Sequence, residues 1–450
     1  MKKLVLAGAM LCLSACATAT PPANASASVD NKAAPKSEST AAGKTESAAL
    51  DIRIPQLSSV LKGEYKPEDY FTEQFLAAVP QAQLAQLSAS IIAQYGQPLT
   101  VIEVKKTAPD AATLQLEFEK AIATFNINVD VNKPYKVRGL LATSFASKDD
   151  NFEKISADFD ALPGQSAFLV EKLDENDPGE IIAARNADRQ FAIGSTFKLY
   201  ILAELSAQVK AGARKWSDVV PLAHRSFSSS ATNRWPENSP VTLETLALQM
   251  ISVSDNSATD TLLHALGREN VERKLAQIGH SAPDRTLPFL STVEAFALKA
   301  PANADLYARY IKANEVQQRQ IINTQTARLG FAQVDDSTFN GGPVHIDTIE
   351  WFASPIDMSA LLNHIRRAGD PKMLEIMQVN SGIGPAEAAK WNYLGYKGGS
   401  EPGVISMSFL VQSKAGDWYA VSGSWNNPAK EVNDTQFVLL MTRLLQAVTG

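Results

Sequence analysis

Strict alternation of hydrophobic and polar residues marks the first folded part of the chain. Apolar residues occupy every second position over residues 114–118 and again over 125–131. Because successive side chains of a strand point to opposite faces, this period predicts antiparallel strands that bury one face. A helical stretch over 70–95 precedes them and is interrupted by Pro80, which cannot donate a backbone hydrogen bond. We therefore predict an α+β domain over residues 51–150.

A second region, residues 155–450, begins and ends with strand-like runs and is helical between them. Apolar runs at 168–170 and 181–183 predict a strand pair, and residues 404–425 predict a hairpin. Strands at both ends with helices between them predict the fold class, an α/β (α+β) sandwich in which helices cover one antiparallel sheet. Helices are predicted at about 196–211, 243–252, 257–266, 269–278 and 356–367, with one more closing the chain.

The N-terminus has the pattern of an export signal. Two lysines precede an apolar stretch, residues 4–13, that is too short to span a bilayer. The tetrapeptide Leu-Ser-Ala-Cys that ends at Cys16 resembles a bacterial lipoprotein box. This resemblance implies that residues 1–15 are a signal peptide and that Cys16 is lipidated, on the periplasmic side of the outer membrane. An ordinary secretory signal, cut after residues 17–19, is the alternative. Residues 16–50 are rich in Ala, Ser, Thr, Pro and Lys without an apolar period, which predicts a disordered tether.

Composition narrows the classes of function. The chain has 450 residues, a net charge of −6 and 45% hydrophobic residues, so we expect buried cores and no nucleic acid partner. Both cysteines, Cys12 and Cys16, lie at the N-terminus, which excludes disulfides and cysteine-bound metals from the folded regions. The five histidines lack a metal-binding spacing. The sequence contains no G-x-S-x-G motif, which argues against an α/β-hydrolase. We expect no metal, no cofactor, and membrane contact only through the lipid anchor.

Three short motifs carry the candidate chemistry. Ser195 and Lys198 lie three positions apart at the start of a predicted helix, where an amine can reach and activate a hydroxyl. A lone S-x-x-K is weak, since Ser59 and Lys62 also match it without suitable partners. The motifs are Ser195-Thr196-Phe197-Lys198, Ser254-Asp255-Asn256 and Lys397-Gly398-Gly399-Ser400. The order S-x-x-K, S-D-N, K-x-G is the signature of serine β-lactamases and penicillin-binding proteins. The chain resembles this family, and class A β-lactamases most closely.

The resemblance implies a catalytic role for three residues. Ser195 is the nucleophile, and Lys198 takes or relays its proton. To act as a base, Lys198 must be neutral, so burial or a second cation has to lower its pKa. Ser254 carries a proton between Lys397 and the leaving nitrogen.

The resemblance also implies the residues that bind substrate. Asn256 holds an amide of the acyl side chain, and Lys397 attracts a substrate carboxylate. The strand that contains Gly399 and Ser400 completes the binding site. The backbone N–H groups of Ser195 and Ser400 face the developing oxyanion.

Two features depart from class A enzymes. Gly398 stands where a hydroxyl usually helps to hold the substrate carboxylate, although Ser400 lies on the same strand face. The E-x-x-L-N pattern of the deacylating glutamate is absent. Glu294 is the candidate deacylation base by position, but Ser291-x-x-Glu294 also matches a capping box, and the capping role is favoured. Extra sequence around 300–345 is expected to reshape the cleft.

These features favour an exported active-serine hydrolase that opens β-lactams through an acyl-serine intermediate. We expect a monomer that acts on a small β-lactam or acyl substrate. A D-alanyl peptidase or esterase on the same fold, and a non-enzymatic periplasmic lipoprotein, are the alternatives. The domain over 51–150 resembles the cone-shaped ketosteroid-isomerase/nuclear-transport-factor fold, which a hydrolase of the clavulanic-acid cluster joins to a β-lactamase-like domain. We expect it to be an accessory domain.

Overall fold

The computed structural model of the chain describes residues 49–148, 150–174, 179–229, 232–334, 336–339 and 341–449. The predicted signal peptide, Cys16 and the tether up to residue 48 lie outside the described residues. The chain folds into two compact units. The N-terminal unit ends at Asp149, and the C-terminal unit covers Asp150–Gly450. Within the described residues, no helix combines the length and the apolar character that a membrane crossing requires.

The N-terminal unit contains a four-stranded antiparallel sheet in the order β1-β2-β3-β4. Every second side chain of β2 and β3 is buried, as the alternating sequence predicts. The predicted helical stretch over 70–95 forms three helices, and the longest starts directly after Pro80. The strands are β1 (Pro98–Ala108), β2 (Ala111–Phe118), β3 (Ala121–Val129) and β4 (Val137–Ser147). The helices are Leu57–Leu61, Pro67–Tyr70, Glu73–Ala78 and Gln81–Tyr95.

The C-terminal unit is built on a five-stranded antiparallel sheet in the order β11-β12-β13-β5-β6. Its strands come from both ends of the unit, which confirms the predicted arrangement of one antiparallel sheet with helices. Two small sheets pair β7 with β10 and β8 with β9. The strands are β5 (Gln165–Leu173), β6 (Glu180–Arg185), β7 (Phe191–Ala192), β8 (Val219–Pro221), β9 (Pro240–Thr242), β10 (Phe352–Ala353), β11 (Tyr393–Glu401), β12 (Val404–Gln412) and β13 (Trp418–Asn426).

Helices cover both faces of this sheet. On one face, helices Phe152–Asp160 and Asp434–Thr449 bury aromatic and aliphatic side chains against β5, β12 and β13. On the other face lies the larger core, formed by the helices between β7 and β11. The extra sequence around 300–345 contributes two of these helices. The helices in between are Lys198–Lys210, Leu243–Ser252, Asn256–Leu266, Arg268–Ile278, Thr292–Lys299, Ala304–Tyr310, Glu315–Thr324, Pro355–Ala368, Pro371–Gln378 and Pro385–Ala388.

Candidate active site

Ser195 lies in a tight 3₁₀ turn, Gly194–Phe197, which leads directly into helix Lys198–Lys210. The turn requires glycine at its first position, because Gly194 has a φ of +47°. The helix then starts at Lys198, so the lysine amine folds back onto the turn. Lys198 Nζ donates to Ser195 Oγ at 3.0 Å. The structure thus places the two residues of the first motif in direct contact.

The Lys198 amine joins the first motif to the second. It lies 2.7 Å from the Ser254 carbonyl oxygen and 3.0 Å from Ser254 Oγ. It also donates to Asn256 Oδ1 at 2.6 Å. Asn256 Nδ2 in turn donates to the Phe227 carbonyl at 2.9 Å, which fixes the orientation of the amide. Lys198 is therefore held by hydrogen bonds from two sides of the cleft.

Burial sets the charge of Lys198. Its side chain is fully buried. Loss of hydration lowers the pKa of Lys198 to about 7, although the negative charges of Asp255 and Asp260 oppose this shift. At neutral pH a substantial fraction of Lys198 is consequently neutral, and a neutral amine can accept the Ser195 proton.

Ser254 occupies a short connection between helices Leu243–Ser252 and Asn256–Leu266. It has a φ of +59°, in the left-handed region that a residue with a side chain rarely adopts. Asp255 stabilises the connection, since its carboxylate accepts from the Ala258 N–H at 2.9 Å and caps the following helix. Asp255 therefore has a structural role in this connection. The strained backbone turns the Ser254 side chain toward the lysines.

Lys397, on β11, approaches the same serine from the opposite side. Its Nζ lies 3.0 Å from Ser254 Oγ, the same distance as Lys198 Nζ. The pKa of Lys397 falls well below its ordinary value, first because of burial and then because of repulsion by Lys198. One hydroxyl is thus shared by two buried amines. This is the geometry of a short proton relay.

β11 packs against the serine turn at its glycines. A Cβ on Gly399 would lie 2.3 Å from the Ile193 carbonyl oxygen and 2.3 Å from the Ser195 nitrogen. A Cβ on Gly194 would lie 3.1 Å from the Ser400 nitrogen. Only glycine allows this approach, which brings β11 into direct contact with the turn that contains Ser195.

The structure gives a reason for the unusual Gly398. A Cβ at this position would lie 2.0 Å from the hydroxyl oxygen of Tyr396. Tyr396 is two residues earlier on the same face of β11, and burial raises its pKa. A residue with a hydroxyl side chain therefore has no space at position 398. Tyr396 is not among the residues that the motifs predict, although the period of two along the strand places it on the same face as Gly398.

Glu294 is held by contacts outside the motif residues. The predicted capping box is present: the Ser291 N–H donates to Glu294 Oε2 at 2.8 Å, and the Glu294 N–H donates to Ser291 Oγ at 3.3 Å. Arg268 binds both carboxylate oxygens, at 2.9 and 2.7 Å. Burial opposes the charged form, but Arg268 and Ser291 more than offset it and keep the pKa of Glu294 below its ordinary value. In the described part of the chain, no hydrogen bond joins this carboxylate to Ser195 or Lys198. The geometry supports the capping role.

Asp260 is a second buried carboxylate that the sequence did not reveal. It lies on helix Asn256–Leu266, one turn after Asn256, and is fully buried. Its oxygens accept from the Thr292 N–H at 2.7 Å and the Val293 N–H at 3.0 Å. Burial raises the pKa of Asp260 to about 7. Asp260 thus fastens the start of helix Thr292–Lys299 beside the second motif. Across the described residues, no group of three or more His, Cys, Asp and Glu side chains could hold a metal ion.

Comparisons with known proteins concern the C-terminal unit. The family model described as "Beta-lactamase enzyme family" matches residues 151–422. No curated protein matches the chain. Among solved structures, a mutant of PBP-A in an acyl-enzyme complex with penicillin G is 15% identical, with a TM-score of 0.44, and the match covers 66% of this chain and 95% of that one. A β-lactamase from Sphaerobacter thermophilus is 18% identical (TM-score 0.44; 66% and 94% covered). A β-lactamase from Chitinophaga pinensis is 17% identical (TM-score 0.44; 66% and 97% covered).

Proposed function

The chain belongs to the β-lactamase enzyme family, and from this membership we propose that it is an active-serine hydrolase that opens β-lactams through an acyl-serine intermediate. One observation carries the proposal. The hydroxyl of Ser254 lies 3.0 Å from Lys198 Nζ and 3.0 Å from Lys397 Nζ, while Lys198 Nζ also lies 3.0 Å from Ser195 Oγ. A nucleophile, a base and a proton relay therefore form one continuous chain of contacts.

Acylation follows from this chain of contacts. Neutral Lys198 accepts the proton of Ser195 Oγ as the oxygen attacks the carbonyl carbon of the substrate. The N–H groups of Ser195 and Ser400 donate to the oxyanion; losing one such donor typically costs about 10²–10³ in rate. The proton then passes from Lys198 through Ser254 to the leaving nitrogen. The C–N bond breaks, and the acyl group stays on Ser195.

Lys397 supports binding of an anionic substrate. In the free site its ammonium form is disfavoured by burial and by Lys198. A substrate carboxylate beside Lys397 would favour the protonated form, so that binding and protonation of this amine are coupled. Gly399 keeps the strand close enough for Ser400 and Lys397 to reach one small ligand, and Asn256 orients the acyl side chain.

A D-alanyl peptidase or esterase is the second candidate, because two observations favour it. The carboxylate of Glu294 is engaged by Arg268 and Ser291, which makes it a weak base for deacylating water. Tyr396 excludes a hydroxyl side chain at position 398. In class A enzymes a hydroxyl at this position helps to hold the β-lactam carboxylate. Both observations favour a slowly deacylating site or a substrate without a ring carboxylate.

Nitrocefin hydrolysis, acyl-ester hydrolysis and intact-protein mass spectrometry after mixing with a penicillin test the proposal together. We expect a covalent adduct on the wild-type protein and none on Ser195→Ala. Turnover of nitrocefin supports the β-lactamase, whereas hydrolysis of esters alone supports the second candidate. If neither substrate reacts and Ser195 carries no adduct, the enzymatic proposal is wrong and a non-enzymatic lipoprotein remains.

We further propose that the protein is exported and anchored through lipidated Cys16, with the N-terminal unit as an accessory domain of the ketosteroid-isomerase/nuclear-transport-factor type. The order of charge, apolar stretch and Cys16 supports the anchor. The antiparallel sheet with its preceding helices supports the domain type. Membrane fractionation of the wild type and of Cys16→Ser tests the anchor: the wild type should sediment with membranes, and the variant should not.

A further inference from the structure

A lysine in the C-terminal unit is buried between two glutamates, and none of the three belongs to a motif. Lys299 Nζ lies 2.7 Å from Glu350 Oε1 and forms a second ion pair with Glu401 Oε1. The side chains are 1%, 2% and 11% exposed, respectively. Burying one ammonium and two carboxylates is costly unless each group is paired. Such a cluster is therefore well suited to fixing the geometry of the elements that it joins.

One of these residues is a chain neighbour of the candidate site, and a second ends a neighbouring helix. Glu401 follows Ser400, the predicted oxyanion donor, at the end of β11. Lys299 is the last residue of the helix Thr292–Lys299, whose first turn contains Glu294. The ion pair thus ties the end of the binding strand to the end of helix Thr292–Lys299.

The third residue, Glu350, connects the cluster to the serine turn. It precedes Trp351, whose carbonyl accepts from the Ile193 N–H at 3.0 Å. The Trp351 ring stacks on Phe197, with ring centroids 3.7 Å apart. Ile193 and Phe197 flank Ser195 on both sides. The cluster of Lys299, Glu350 and Glu401 consequently reaches the turn from one end and the strand from the other.

The surroundings of Glu401 favour its protonated form. Burial raises the pKa of Glu401 well above its ordinary value. The charge of Glu350 and a hydrogen bond to Glu350 raise the pKa of Glu401 further, whereas Lys299 opposes the shift. Burial and, after it, the charge of Lys299 lower the pKa of His345. A proton on Glu401 leaves the charge of Lys299 paired with that of Glu350 alone. When this proton is lost, an uncompensated negative charge appears at the end of β11.

We propose that Lys299 is a positioning residue, which acts with Glu350 and Glu401 to hold the end of β11 against the serine turn so that the Ser400 N–H faces the oxyanion. The inference rests on the proposed acylation of Ser195. The contact that it controls is tight, since a Cβ on Gly399 would lie only 2.3 Å from the Ser195 nitrogen. A displacement of about 1 Å in such a site can cost about 10²-fold in rate.

The test compares the acylation of three variants by a penicillin or an activated acyl ester over a pH series. Glu401→Gln keeps the shape of the side chain. Its amide oxygen accepts from Lys299 Nζ, and its amide N–H group donates to Glu350 at every pH of the series. Lys299→Met removes the central charge. Glu204→Gln is the matched control, because Glu204 forms another buried ion pair with a lysine, Lys274, at 3.4 Å. Single-turnover kinetics separate the acylation rate constant from the dissociation constant of the noncovalent complex.

For Glu401→Gln we expect a near wild-type acylation rate constant at neutral pH and a changed alkaline limb of the pH profile, because the amide at position 401 has no proton to lose in this range. For Lys299→Met we expect the acylation rate constant to fall by about 10²-fold with little change in the dissociation constant. Glu204→Gln should match the wild type in both respects.

Two results would overturn the inference. One is a pH profile of Glu401→Gln that superimposes on the wild-type profile. The other is a Lys299→Met protein that acylates at the wild-type rate. If Lys299→Met does not fold, the profile of Glu401→Gln decides alone. A wild-type protein that is not acylated at all overturns the proposed function and this inference with it.

Discussion

At the scale of single residues, the charge of one amine governs the proposed chemistry. Lys198 makes four hydrogen bonds. Three are to the side chains of Ser195, Ser254 and Asn256, and one is to the Ser254 carbonyl. The same burial that creates these contacts lowers the pKa of Lys198 to about 7. The pH of the medium should therefore control both the reactivity of Ser195 and the stability of the fold.

We expect the rate of Ser195 acylation to rise with pH through about 7, because only neutral Lys198 accepts the proton. Stopped-flow labelling with a fluorescent penicillin, over a pH series that brackets this value, measures the profile. Lys198→Met should lose about 10²–10⁴ in rate, as expected for the removal of a general base. A profile that is flat across the series would contradict the role of Lys198.

The same residue contributes to the pH dependence of stability, with a definite sign. Lys198 has its ordinary pKa of 10.5 in the unfolded chain and a pKa of about 7 in the folded protein. Between these two values the unfolded chain binds more protons, so the contribution of Lys198 to the free energy of unfolding increases as pH rises. Below about 7 its penalty is greatest. Urea unfolding of the wild type and of Lys198→Met across this window measures the difference in slope.

Glu294→Gln should lower stability without slowing deacylation. The change breaks the buried pair with Arg268, for which we expect a loss of about 3 kcal/mol in the free energy of unfolding. Ser291→Ala, which removes only the cap, should cost about 1 kcal/mol. Urea unfolding measures both losses, and mass spectrometry follows the decay of the acyl-enzyme. Slower deacylation in Glu294→Gln with unchanged stability would instead identify Glu294 as the base.

At the scale of elements, the sequence predicted the strands and helices in which one face is buried, because burial gives their apolar residues a regular spacing. The alternation in β2 and β3, the hairpin of β12 and β13, and the closing helix Asp434–Thr449 are all present. Local signals also worked where the contact is local, as in the capping box at Ser291.

The sequence did not reveal contacts between distant segments. Arg268 binds Glu294, and Asp260 binds the start of the next helix, through pairings that no short pattern encodes. The motifs identified Ser195, Lys198, Ser254 and Lys397 as candidates. Their distances depend on how the strand and helices pack, which only the structure supplies.

One element-scale prediction concerns the face of β11 that Tyr396 and Gly398 share. Gly398→Thr alone should reduce acylation, because its Cβ would lie 2.0 Å from the Tyr396 hydroxyl oxygen. The double variant Tyr396→Ala/Gly398→Thr should recover acylation and bind β-lactams more tightly than the wild type, since the new hydroxyl can contact the substrate carboxylate. Dissociation constants for a penicillin decide this. Equal losses in the single and double variants would show that Tyr396 is not the obstacle.

At the scale of the whole molecule, every motif residue lies in the C-terminal unit. The start of this unit is fixed to its closing helix, because Arg443 binds Asp150 at 2.6 Å and Asp158 at 2.6 Å. These ion pairs join the first helix of the C-terminal unit, and the segment just before it, to the last helix. The C-terminal unit therefore contains both the complete candidate site and the contacts that close its fold.

We accordingly expect a chain that begins at Asp150 to fold and to label at Ser195 with a penicillin. Circular dichroism and the labelling rate, each compared with the full chain, provide the measurement. Asp150→Ala in the shortened chain should lower its melting temperature, because Arg443 loses a partner. A shortened chain that folds but does not label would assign the N-terminal unit a direct part in catalysis.

The neighbouring positions of β5 and β13 in the sheet have a consequence for the timing of activity in the cell. Ser195 and Lys198 are synthesised early, but Lys397 on β11 and the strand β13, which pairs with β5, emerge from the ribosome much later. A nascent chain that ends before β11 thus lacks Lys397 and a complete sheet, so we expect Ser195 to become reactive only when synthesis of the C-terminal unit has nearly ended.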